Sequence, residues 1–362
     1  MSERSVESLA SFVRDLGSPC SVIRLVGEDL LAGSHEGVLS CWDSVSGTER
    51  WRVEVAGPIS DLAVEGGRVF ATASASLHAV GAASGELLWS RDLEGASDYV
   101  QAHSGMVWAT SSVYELEVAD FVETTIWRFD ASGEEQERWV MAERPWHLGL
   151  HEDGGILLGL GRPLCGYLRI RAGEKPEHFP LGTDSPVTCG ACGSEGRFLL
   201  GHADGTISTT DGTGASDRPA EGAAGASENL NGSLVTTLTG FNQSWIAGHD
   251  DGTIASPAAS HQVEGAIDSV AGLGSDAWAS SSNQGKCSIT ILTESVTTIE
   301  HDARVRQMYS KQNLLAIGDD LGRVFVIESE VASRRLSDKE DSTQENFRNS
   351  ELRARLRMLR NR

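Results

Sequence analysis

The chain predicts an all-β fold: a single closed propeller of four-stranded antiparallel blades, followed by one C-terminal α-helix. Three observations carry this reading. "SVSGTERW" (44–51) and "AASGELLW" (82–89) say nearly the same thing, with Gly47 and Gly85 38 residues apart and Trp51 and Trp89 at the same interval. A second short run recurs eight times, as "LLAGSHEG" (30–37), "VFATASAS" (69–76), "VWATSSVY" (107–114), "ILLGLGRP" (156–163), "FLLGHADG" (198–205), "SWIAGHDD" (244–251), "AWASSSNQ" (277–284) and "LLAIGDDLG" (314–322). The runs are short, rich in β-branched and aromatic residues and bounded by turns, with period 2 rather than 3.6.

Units start near Val22, Ile59, Val100, His147, Val187, Val235, Ile267 and Val305, which is about 40 residues per step. That is the length of a four-stranded propeller blade. The count is eight, with seven as the alternative because unit 6 is short. Each Ser-Gly reads as the turn between third and fourth strands, where Gly supplies a positive φ. The Trp that follows begins the outer strand and covers the neighbouring blade. A blade cannot bury both faces alone, so a ring of stacked blades supplies the missing cover.

Taken in order, residues 1–10 are an N-terminal extension and 11–330 the propeller. "SFVRDLGSP" (11–19) has the pattern of "LWSRDLEGA" (88–96) with no blade before it. The final unit lacks an outer strand, so 11–19 is predicted to supply one and close the ring, removing free edges. "TDGTGASDRPAEGAAGASENLNG" (210–232) reads as a long flexible loop. Residues 331–362 read as a polar tether, "SRRLSDKEDSTQ" (333–344), and a basic amphipathic helix.

"WDSVSGTERW" and "GAASGELLW" resemble WD40 and PQQ-like propeller repeats, which end a blade in "SG…W". The resemblance spans roughly residues 11–330, is clear in the first two units, and is degenerate in units 4 and 5. "SGEEQERW" (132–139) repeats the device with two extra residues. The family implies a repeat scaffold.

Composition narrows the function classes. The 362 residues carry a net charge of −22, from 52 acidic and 30 basic residues. Such a body repels nucleic acid and anionic membrane. The first 20 residues contain no apolar stretch of secretory type, and no run reaches the roughly 20 apolar residues of a membrane span. Six scattered cysteines suit reduced thiols. The expected location is the cytoplasm, with no membrane partner.

Candidate chemistry is sparse. Cys189 and Cys192 form a CxxC, but in a strand and without a second pair, so they read as packed thiols. His35, His202 and His249 recur after the second run. Equivalent positions are spread around a ring, whereas zinc needs its ligands at one point. They read as polar turn residues beside Glu36, Asp204 and Asp251. "HDDGT" (249–253) and "GDDLG" (318–322) lack the alternating oxygens of a calcium loop. Trp108, Trp245 and Trp278 read as core. No phosphate loop, dinucleotide fingerprint, nucleophile elbow or zinc-protease motif occurs. No catalytic, cofactor or metal residues are assigned, and an axial-channel enzyme or small-ligand binder is the lesser reading.

The tail departs from the pattern. In "QENFRNSELRARLRMLRNR" (344–362), Leu352, Leu356 and Leu359 make one apolar stripe. Arg348, Arg353, Arg355, Arg357, Arg360 and Arg362 face only Glu351 from residue 347 onward. The expected role is partner docking by Arg348, Leu352, Arg353, Arg355, Leu356, Arg357, Leu359 and Arg360. Expected partners are proteins, with nucleic acid as the alternative through the tail alone.

Overall fold

The computed structural model describes residues 5–214, 217–219, 232–293 and 295–337. They form eight four-stranded antiparallel sheets arranged as a closed ring. Blade 1 comprises Cys20–Val26, Asp29–Ser34, Val38–Asp43 and Glu49–Glu54; blade 2 comprises Ile59–Glu65, Arg68–Ala73, Ser76–Gly81 and Leu87–Asp92. Blade 3 comprises Ala96–His103, Met106–Glu115, Asp120–Asp130 and Glu135–Met141; blade 4 comprises Pro145–Leu150, Ile156–Leu160, Tyr167–Ile170 and Glu177–Phe179. Blade 5 comprises Val187–Cys192, Phe198–His202, Ile207–Thr210 and Arg218–Pro219; blade 6 comprises Val235–Phe241, Ser244–His249, Thr253–Ala255 and Ser260–Gln262. Blade 7 comprises Ala266–Leu273, Asp276–Asn283, Lys286–Leu292 and Val296–His301. Blade 8 takes Val305–Lys311, Leu314–Asp319 and Arg323–Glu328 from the chain's end and Phe12–Asp15 from its beginning.

The recurring second run has a steric cause. A β-carbon placed on Gly33, Gly159 or Gly201 would lie 2.9, 2.9 or 2.6 Å from Ile59, Val187 or Val235. Gly248 meets Ile267 and Gly318 meets Cys20 in the same way. Each of these partners is the first or second residue of the inner strand of the next blade. The glycine is thus a seat that lets neighbouring inner strands converge on the axis. Blades 2, 3 and 7 carry Thr72, Thr110 and Ser280 there, all buried small hydroxyl residues.

The Ser-Gly…Trp repeat works at the rim. Gly85 and Gly133 adopt φ of +73° and +82°. Their missing side chains leave room for the Trp of the preceding blade: a β-carbon would come within 2.9 Å of Trp51 and 2.8 Å of Trp89 respectively. The indole N–H of Trp51 donates to Ala82 O at 2.7 Å, and that of Trp89 to Ala131 O at 3.1 Å. In the longer third unit, Trp139 donates to Glu174 O at 3.3 Å. In the Gly47 and Gly133 turns, Asp43 and Asp130 accept from the amides of Ser46 and Ser132. The Ser46 amide pulls the Asp43 carboxyl, and the Ser132 hydroxyl the Asp130 carboxyl, below the usual carboxylate range.

Closure reuses the rim device. Phe12, Val13, Arg14 and Asp15 pair with Val326, Phe325, Val324 and Arg323. Phe12 and Arg14 sit on Gly47, where Trp89 and Arg91 sit on Gly133, and Arg14 Nε donates to Gly47 O as Arg91 Nε donates to Gly133 O. A short helix, Val6–Leu9, precedes this strand and buries Val6 and Leu9 against blades 7 and 8.

Two segments differ from the sequence reading. Arg218–Pro219 pairs with Ser208 and Thr209 as the outer strand of blade 5, so 210–232 is not wholly loop. Residues 329–337 are helical, so the first part of the expected tether is ordered. The cause is packing: Ala332 and Leu336, one turn apart, join the cluster of Val6 and Leu9, and Arg335 donates to Ser8 O and Ala10 O. No helix among the described residues is long and apolar enough to cross a membrane.

Gly201→Ala is expected to destabilise the protein by about 1–3 kcal/mol, because the added methyl overpacks Val235 and Cys189. Urea unfolding followed by tryptophan fluorescence measures it. A change within error would remove the seat from its proposed role.

Candidate functional site

Every blade carries an irregularity near the start of its inner strand, centred on Ser21, Ser60, Asp98–Tyr99, Trp146, Thr188, Thr236, Asp268 and Arg306. A bulge re-aims the extra residue, and here these residues encircle one mouth of the axial channel. Several tie blade to blade. Thr188 Oγ1 donates to Val235 O at 2.6 Å and Thr236 Oγ1 to Ile267 O at 2.7 Å. Arg304 binds Asp268 at 2.6 Å and Arg144 binds Asp98 at 2.7 Å. Just below, buried Asp61 joins three blades: it pairs with Arg24 and accepts from Val100 N at 3.0 Å. A cavity of about 430 Å³ opens at this mouth between Ser21, Ser60, Asp268, Arg304 and Arg306.

The same face carries the connections between second and third strands. In blade 3 this connection is a projecting hairpin, because Met106–Glu115 and Asp120–Asp130 run 10 and 11 residues. The inner strand stops pairing at Ser112 and the outer strand at Thr124, so residues 113–123 extend past the blade as a two-stranded ribbon. Leu116 at its tip is 87% exposed, Val118 59% and Tyr114 48%. Tyr114 packs edge-on to Phe121 at 5.2 Å. The Arg144 guanidinium lies over Phe121 at 4.4 Å and over Trp146 at 5.0 Å. Trp146, 41% exposed, rests against Gly161, and exposed Leu164 follows in the blade 4 connection. The result is a series of rings, Tyr114, Phe121 and Trp146, joined through Arg144 and pinned there by buried Asp98, which also accepts from Ser112 Oγ at 2.5 Å.

Sequence reasoning missed this patch. Its signal was the 47-residue step from Val100 to His147 and the alternation in "VYELEV" (113–118). The tail residues singled out above, Arg348 through Arg360, lie outside the described residues. Cys189 and Cys192 occupy a regular stretch of strand, where residues three apart point to opposite faces. Burial also pushes the Cys189 thiol up to about 12, far from a reactive thiolate. His202 and His249 are strand-end residues, with Nδ1 bonded at 3.1 Å to Ser185 O and Ser233 O. His35 is not their equivalent: Ser34 holds that register, opposite Cys20, and His35 is exposed one residue later. Asp204 and Asp251 each accept from a turn amide, that of Thr206 at 3.0 Å and Thr253 at 2.9 Å. Trp108, Trp245 and Trp278 are buried. Among the described residues, no group of three or more His, Cys, Asp or Glu is arranged to hold a metal ion.

Residues 15–110 and 35–158, in two overlapping stretches, match the family model of the outer membrane protein assembly factor BamB. The chain is an eight-bladed β-propeller, and its first blades are similar to PQQ-like repeats. Among solved structures, BamB from Moraxella catarrhalis is similar at a TM-score of 0.64 and 14% identity, over 88% of this chain and 99% of that one. Sqt1 from Saccharomyces cerevisiae gives 0.69 at 12% identity, over 91% and 99%. The β-propeller domain of Cps50 (Swd1) from Myceliophteria thermophila gives 0.58 at 12%, over 88% and 98%. At such identities the likeness is one of fold. No curated protein matches the sequence.

Two outcomes test the site's construction. Arg144→Met removes the only cation bound to Asp98 among the described contacts and strands a buried carboxylate, so a loss of about 2–4 kcal/mol is expected in urea unfolding. His147, beside Trp146, has a buried Nε2 without a protein partner, and desolvation lowers its pKa to about 4. Unfolded, it titrates near 6.5. Between those values the unfolded chain holds more protons, so stability falls as pH drops from about 6.5 to 4. His147→Leu should flatten this decline by about 2–3 kcal/mol. Parallel denaturation curves at pH 4.5 and 7 for both proteins measure it, and identical slopes would refute the assignment.

Proposed function

We propose that the protein is a non-enzymatic interaction scaffold of the cytoplasm, whose ring presents a docking face to protein partners and whose C-terminal segment adds a second contact. One observation carries the reading: the exposed Tyr114, Leu116 and Val118 of the blade 3 hairpin, linked through Phe121 and Arg144 to exposed Trp146 of blade 4. Large apolar side chains clustered outside the core mark interaction surfaces, and aromatic anchors with an Arg are enriched at the centre of interfaces. Propeller neighbours that include an assembly factor are consistent with this use of the fold. A second, tethered contact raises avidity through effective concentration without either contact being strong.

Affinity capture tests it with four proteins: wild type, a chain ending at residue 343, Leu116→Ser with Val118→Ser, and both changes combined, each with and without nuclease. Partners that resist nuclease and fall at least fivefold in the hairpin variant support the scaffold. Further loss in the combined protein supports the second contact. Partners held equally by all four proteins would overturn the assignment, and partners lost to nuclease would replace it with a nucleic-acid role.

A further inference from the structure

The hairpin has a sign as well as a shape. Residues 113–124 contain Glu115, Glu117, Asp120 and Glu123 and no basic residue. Glu115, Glu117 and Asp120 are exposed; Glu115 and Asp120 pair with each other on the ribbon face opposite Tyr114 and Phe121, and Glu117 lies in the tip between Leu116 and Val118. Arg144 adds no free cation, since Asp98 binds it and two rings cover it. Arg162, on the neighbouring blade 4 connection, is the exposed cation of that loop. The patch therefore repels an anionic lipid surface or a nucleic acid. An uncharged apolar partner would bury carboxylates without compensation.

Resting on the scaffold reading, we infer that this face takes a cationic segment of another protein. Two or more large apolar side chains of that segment seat on Tyr114, Leu116 and Val118. Its Lys or Arg groups meet Glu117 at the tip and reach round the narrow ribbon to Glu115 and Asp120, which pair with each other on its other face. The net charge of −22 speeds encounter with such a segment and the hairpin fixes where it lands. The apolar contacts set the lifetime of the complex, and the charge pairs exclude acidic competitors of equal hydrophobicity.

Three fluorescent 15-residue peptides test this against the full chain: alternating Leu and Lys, alternating Leu and Glu, and alternating Ser and Lys. The protein is used as wild type, as Leu116→Ser with Val118→Ser, as Glu115→Lys with Glu117→Lys, and as Leu87→Ser with Leu88→Ser, exposed apolar residues on the blade 2 rim. Thermal unfolding first establishes that each variant is folded. The Leu–Lys peptide is expected to bind wild type and the blade 2 variant alike and to weaken at least tenfold with either hairpin variant. Raised salt weakens it further, and the other two peptides bind at least tenfold more weakly. Equal Leu–Lys binding by all four proteins would reduce the effect to bulk charge and overturn the inference. Equal binding of Leu–Glu and Leu–Lys, lost in the Leu116 variant, overturns the cationic partner but leaves the scaffold standing. Failure of every peptide to bind overturns the inference, and the capture experiment then decides the scaffold separately. Displacement of Leu–Lys by a peptide of residues 344–362, with self-association of the full chain, would make the occupant a second copy and overturn the separate partner.

Discussion

The ring depends on how closely adjacent inner strands approach near the axis. Eight blades converge there, and at five of the eight seams the second strand meets the start of the next blade's inner strand at a glycine. Interiors are packed to crystal-like density, so one added carbon at such a point must displace the side chain it meets. The rim has the opposite problem, since blades splay apart with radius. Trp51, Trp89 and Trp139 fill that widening gap, each held by an indole bond to the next blade. Small inside and large outside is what a wedge-shaped seam requires.

Closure follows from the same constraint. A ring with one seam open would expose an inner-strand seat and a rim turn together. The chain shuts that seam by sending Phe12–Asp15 into blade 8, so its two ends hold each other. Polar bonds lock the neighbourhood. Asp319, fully buried, accepts from His301 at 3.1 Å and from Arg323 at 2.7 Å, and Arg323 also reaches Asp302 and Glu7. Blade 7, blade 8 and the N-terminal helix are thereby joined around one guanidinium. The helix at 329–337 packs over this region through Ala332 and Leu336.

A ring so constrained makes a stiff platform, which decides where recognition is placed. Four of the eight bulged positions at the channel mouth, Asp98, Thr188, Thr236 and Asp268, are committed to bonds with a neighbouring blade or the linker that leads to it. Freedom to vary lies in the connections between second and third strands. Blade 3 uses it by extending two strands past their neighbours, and blade 4 supports the extension with Trp146 and Leu164. Arg144 links the two, since one guanidinium serves a buried carboxylate and two aromatic faces. Docking residues are thus held by the ion pair that helps join blades 3 and 4.

Sequence alone determined the all-β repeat architecture and the eight units, because strand alternation, turn glycines and rim tryptophans are local and recur in register. It also marked 11–19 as an outer-strand pattern lacking a blade, since Phe12 and Arg14 spell the same contacts as Trp89 and Arg91. Tertiary structure decided what depends on neighbours far along the chain. The second-strand glycines are visible in "LLAG" and "IAGH", but their cause, a side chain from the next blade, is not. Ser34 rather than His35 matches His202 because register is set by pairing with Cys20, not by spelling. Arg218–Pro219 has no strand signature and becomes one by pairing with Ser208 and Thr209. The hairpin patch was written as "VYELEV", an ordinary strand alternation. Only the ending of its neighbours at Ser112 and Thr124 turned one buried face outward.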